Sequence, residues 1–133
     1  MIMSNGKVTV KPKLLQLIES FCENNKEVVL VSLCTTDGFP IEYFSTDELN
    51  AEADKLAAIS STISALSDSS SRQMNQGQCG ITIIEAAFGN ILFVKATYLG
   101  TQCVLTVVAN IKMNLAAARY KTKNLSQDFS SIS

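Results

Sequence analysis

One stretch limits the possible folds more than any other: between Leu56 and Ser67 the chain carries no charged residue, although its pattern is helical. A helix with one solvated face normally carries several charges. The spacing predicts a long helix over residues 45–74. Ser45 with Glu48 three residues on has the form of a capping box, and Asp47 and Glu48 suit the positive end of a helix dipole. Leu49, Leu56, Ile59, Ile63 and Leu66 recur at helical intervals as an apolar stripe. Roughly opposite runs a stripe of small residues, Ala51, Ala58, Ser61 and Ala65, which leaves room for close approach by another helix. Two arrangements meet this pattern. In one, a sheet covers one side and a partner helix the other; in the second, the helix lies on its own sheet with an Ala/Ser outer face, since small residues are common helix fillers.

With 133 residues the expectation is a single domain able to bury a proper core. Hydrophobic residues at 47% and charged residues at 17% place the chain in the globular class. A net charge of -1 offers no electrostatic case for nucleic acid. The first seven residues lack a charged start followed by an apolar run, and no apolar stretch reaches membrane-spanning length. The expectation is a soluble cytoplasmic protein with no membrane partner. Cys22, Cys34, Cys79 and Cys103 form no C-x-x-C pair, and the chain has no histidine to complete a metal site. They read as reduced packing residues.

Around the long helix the other elements fall into order. Pro12 opens a helix over about 11–23, with Leu14, Leu17, Ile18 and Phe21 at helical spacing. Residues 28–34 are almost entirely apolar and rich in β-branched residues, the pattern of a central strand. Asp37-Gly38 signals a hairpin to a short strand over 39–44, in which Pro40 argues for an edge position. After the long helix come three strands over about 80–87, 91–97 and 102–109, joined by tight turns at Gly89-Asn90 and Leu99-Gly100. Asn110 is the expected cap of a last helix through Met113, Ala117 and Tyr120, and the residues from Gln127 on are expected to be a mobile tail. The fold class is therefore α+β: a five-stranded antiparallel sheet flanked by helices, in the order αββαβββα.

Chemistry is poorly represented. Without histidine the commonest general base is missing, and no phosphate-cradling glycine loop occurs. Glu52 and Asp54, two residues apart, do not face each other on a helix. No catalytic residue, cofactor or metal is expected. Arg72, near the end of the long helix, is a candidate partner contact of the arginine-finger kind, against the simpler account of a cation at a helix C-terminus. Arg119, Lys121 and Lys123 form a small basic group on the last helix, equally explained as a solvated face.

The arrangement resembles the Roadblock/dynein light chain domain family, in particular its bacterial members of the MglB type. The resemblance rests on Val29-Leu30-Val31-Ser32 leading into Thr36-Asp37-Gly38-Phe39-Pro40-Ile41, on Asp47-Glu48-Leu49-Asn50-Ala51 and Leu56-Ala57-Ala58, on the strands over 81–109, and on Ala109-Asn110 with Asn114-Leu115-Ala116. It spans about residues 10–125. It implies a homodimer in which the third strand pairs edge to edge with its copy, placing residues 80–87, including Ile81, Ile83 and Glu85, on the shared edge beside paired long helices. It further implies a non-enzymatic interaction module that regulates or scaffolds a small Ras-like GTPase. A structural adaptor without effect on GTP turnover and a small-molecule sensor are the alternatives.

Overall fold

The computed structural model describes residues 8–46 and 51–133. Its elements are α1 (Pro12–Asn24), β1 (Val28–Thr35), β2 (Pro40–Ser45), α2 (Ala53–Asn75), β3 (Ile81–Ala86), β4 (Gly89–Tyr98), β5 (Thr101–Asn110) and α3 (Leu115–Ser130). The strands form one antiparallel sheet in the order β2-β1-β5-β4-β3. The expected αββαβββα order is thus present, and β2, with Pro40 as its first residue, is an edge strand.

Alternation along the strands divides the sheet between two cores. Val31, Leu33, Leu92, Cys103, Leu105 and Val107 point to the face covered by α1 and α3, where they pack with Leu14, Ile18, Ala118, Leu125 and Phe129. Cys34, Phe93 and Val104 point to the other face and pack against Ala57 of α2. The Tyr98 hydroxyl anchors the chain ahead of α1 to the end of β4: it donates to the Thr9 carbonyl at 2.7 Å and accepts from the Lys11 N–H at 2.8 Å. The β3–β4 hairpin turns at Ala87 and Phe88, one step earlier than the expected Gly89-Asn90, because Gly89 and Asn90 are already paired with Ala86 and Glu85. At Gly89 φ is +154° and a Cβ would collide with the Ala109 carbonyl on β5. Only glycine permits that approach.

Three further expectations are corrected. The long helix begins at Ala53, not Ser45: Ser45 closes β2 opposite Leu30, and the residue preceding the helix is Glu52, with no side-chain cap. Asp47, Glu48 and Leu49, on which the capping box and the first apolar position depended, lie outside the described residues. The last helix is capped by Asn114, whose side chain accepts from the Ala117 N–H at 2.8 Å; Asn110 ends β5 and accepts from Lys112 N–H. The supposed tail continues α3 to Ser130, because Phe129 is fully buried and Ile132 nearly so, apolar anchors that outweigh the polar residues around them.

Phe129→Ala should therefore destabilise the protein by ~3–5 kcal/mol, whereas a mobile tail would give no change. Urea unfolding followed by circular dichroism measures the difference.

Candidate interaction surface

Helix α2 meets the sheet through its smallest residues. Ala57, Ser60 and Ser64 are its buried positions. The Ser60 and Thr106 hydroxyls share a hydrogen bond of 2.7 Å, and the Cys34 thiol donates to the Ala57 carbonyl at 3.8 Å. Further along, the Lys95 ammonium on β4 pairs with the Asp68 carboxylate, whose side chain is largely buried. These contacts fix which side of the helix faces in, and they divide the Leu56–Leu66 stripe: Leu56 and Ile63 are half-buried, Ile63 against the Phe93 cluster, while the other two positions point away from the sheet. Ile59 is 55% exposed and Leu66 is 61% exposed. At 100° per residue both lie nearly opposite the sheet. Ala58 and Ala65 are also exposed and Ser61 is half-buried, its Oγ donating to the Ala58 carbonyl at 3.1 Å. The two stripes recognised in the sequence thus adjoin on the outer half of α2, a surface of Ile, Leu, Ala, Ser and Thr without a charge from Leu56 to Ser67.

Beside α2 lies the open edge of β3. A narrow crevice lined by Ser64, Ser67 and Asp68 from the helix and by residues 79–82 from the strand lies between them. Ile81 and Ile83 are half-buried against the α1/α3 core, so on the edge they present backbone more than side chain; Glu85 is exposed. On the α2 face, Ile84, Ile91, Val108 and Leu30 are successive cross-strand neighbours from β3 to β1. Leu30 is fully buried, whereas Ile84 is exposed and Phe88, at the hairpin tip, is 87% exposed. Val29, Phe88, Ile91 and Val108 help to line an open, mainly apolar groove of about 440 Å³. This continuation was missed in the sequence, although one sign was present: Phe88 is a large aromatic residue within the hairpin turn, where Gly, Asn, Asp or Ser is usual.

The remaining candidates are dispersed. Ala51 precedes α2 and is half-buried. Arg72 is exposed at the far end of α2, where it lines a polar pocket of about 200 Å³ with Thr36, Ser61, Ser64 and Asp68. Arg119 and Lys123 do not join it; Lys121 reaches across to donate to the Asn25 side chain. All four cysteines are free thiols. Burial pushes the Cys34 thiol up to about 12 and those of Cys22 and Cys103 up to about 11, which disfavours the nucleophilic thiolate.

No family model matches the chain, and no curated protein does. Solved structures share its fold. The gliding protein MglB of Thermus thermophilus superposes with a TM-score of 0.77 at 12% identity, covering 93% of this chain and 92% of that one. Myxococcus xanthus MglB also gives 0.77, at 15% identity over 92% and 95% of the two chains. A Roadblock/LC7 domain from Streptomyces avermitilis gives 0.72 at 19% identity over 84% and 90%. The architecture is that of a roadblock domain of the MglB type.

A thiol held protonated by burial stabilises the fold until the solution pH exceeds the thiol's value in the unfolded chain, and the contribution is lost as pH rises through the folded value. Unfolding free energy should therefore fall between pH 9 and pH 11, and Cys34→Ala should flatten the slope; an unchanged slope in urea titrations would show that Cys34 does not contribute to it.

Proposed function

We propose that this chain is a single roadblock-like domain acting as a homodimeric, non-enzymatic regulator of a small Ras-like GTPase in the cytoplasm. The observation that carries the reading is the uncharged outer face of α2 lying beside the open edge of β3. Large apolar surface beside an unpaired strand marks an interaction site and is an aggregation hazard unless covered. A second copy related by a twofold axis covers both features at once: β3 pairs with β3, and the outer faces of the two α2 helices, with Ala58, Ser61 and Ala65 permitting close approach, pack together. The fold shared with MglB proteins supports this reading.

Regulation then requires no catalytic group from this chain. The absence of histidine and the protonated buried thiols suit a protein that works by preferential binding. A binder that favours one conformation of the GTPase switch segments shifts their populations, and hydrolysis changes with them. Arg72 serves as a cation near the negative end of the α2 dipole.

Leu66→Glu should yield a folded monomer by light scattering, because Leu66 is mainly exposed in the isolated chain; a dimer that persists would remove α2 from the interface. Single-turnover GTP hydrolysis by the Ras-like GTPases of the same organism, with and without the protein, tests the function. Acceleration of one GTPase is expected. Stable binding without acceleration would leave an adaptor, and neither would refute the proposal. Arg72→Ala should preserve the stimulation; a loss of ~10³-fold would make Arg72 an arginine finger.

A further inference from the structure

We infer that the opposite edge of the sheet is a second docking surface, and that it takes a basic, extended segment of a protein partner as an added strand beside β2. Among the described residues β2 is paired only with β1. The Thr46 N–H donates to the Val29 carbonyl at 2.9 Å, so by antiparallel alternation the backbone groups of Phe44 and Glu42 also face β1, while those of Tyr43 face outward. The Tyr43 N–H is met at 3.0 Å by the carboxylate Oε1 of its own neighbour, Glu42, a group that an incoming backbone carbonyl can replace.

The side chains around this edge define what would bind. Phe39, Tyr43 and Phe44 are all exposed. Phe44 forms one wall of an open pocket of about 240 Å³, with Cys22 and Val28 among its apolar lining and Glu19, Glu23 and Lys26 contributed from α1 and the turn after it. Glu42 lies two residues from Phe44 on the same sheet face. Two carboxylates and one ammonium thus line an apolar pocket beside an open strand, and a third carboxylate, Glu42, lies on the same face of that strand. A strand that seats a large apolar side chain in the pocket, with Arg or Lys two residues to either side, satisfies backbone, apolar and charged groups together. A second copy is a poor occupant, because β2 paired with itself would set these carboxylates against their equivalents. The β3 edge, with Ile84, Ala86 and the single carboxylate Glu85, has no such rim.

The test uses the full chain and a fluorescent nine-residue peptide of arginine–threonine–leucine–threonine–arginine flanked by threonines, followed by anisotropy. Binding with a Kd below about 100 μM is expected, weakening with salt. Glu23→Lys, an exposed change, should weaken it about tenfold. Tyr43→Pro removes an outward N–H together with the Tyr43 ring, and should abolish binding without altering the melting temperature, whereas Tyr43→Ala, which keeps the N–H, should retain binding. In the wild type the Tyr43 amide should become protected from hydrogen exchange on peptide addition, a readout that does not depend on any variant folding. No binding up to about 1 mM, equal binding by Tyr43→Pro, or an unprotected Tyr43 amide would each overturn the proposal. So would a fall in the free protein's mass on Tyr43→Pro, which would assign the edge to another copy.

Discussion

The contact on which the rest of the arrangement depends is the close seating of α2 on the sheet. Ala57, Ser60 and Ser64 bring the helix near enough for Ser60 to hydrogen-bond Thr106 in the interior. A buried hydroxyl pair is tolerated because each group satisfies the other, and removing one would strand its partner. Once that side is committed to small residues, helical geometry leaves Ile59 and Leu66 no place but outside. The ion pair of Asp68 with Lys95 fixes the second half of the helix in the same rotation. The outer apolar surface is thus a consequence of how the inner surface packs.

The two halves of the sheet are stabilised unequally. On the α1/α3 side a continuous core runs from Val8 to Ile132, with Tyr98, Leu105 and Phe129 fully buried. On the α2 side the described residues form a smaller buried apolar cluster, Cys34, Ala57, Phe93 and Val104, with Leu30 buried farther along the sheet. The chain has one face that closes on itself and one that does not. That asymmetry suits a module whose own stability resides on one side and whose contacts with other molecules lie on the other and at the strand edges. The edges differ as well: one is mainly aliphatic, the other aromatic with acidic groups near it.

The strands and their order in sequence were legible because their signals are local: β-branched runs, Asp37-Gly38 and Leu99-Gly100 specify strand and turn within a few residues, and Gly89-Asn90 signals the β3–β4 hairpin, although the turn itself falls on Ala87 and Phe88. Element ends were less so. Ser45 and Asn110 have the chemistry of helix caps, but both terminate strands: Ser45 ends β2 opposite Leu30, and the Asn110 N–H is taken up by the Glu27 carbonyl at 2.8 Å. The polar residues after Asn124 masked a helix anchored by Phe129 and Ile132, two apolar side chains whose value lies in the core they reach.

The periodicity of α2 in the sequence identified a helix with more uncharged surface than one sheet contact requires. It did not identify which stripe faces inward, because the larger apolar stripe is the natural choice for burial when only one chain is considered. The amino-acid sequence by itself determined the elements, their order and the absence of histidine chemistry, all of which follow from local propensity and composition. The tertiary structure alone decided the rotation of α2, the exposure of Ile59, Leu66 and Phe88, and the meeting of β2 with α1 around one pocket. Each of these depends on contacts between residues far apart in the chain, and their energies are set by packing that no local pattern records.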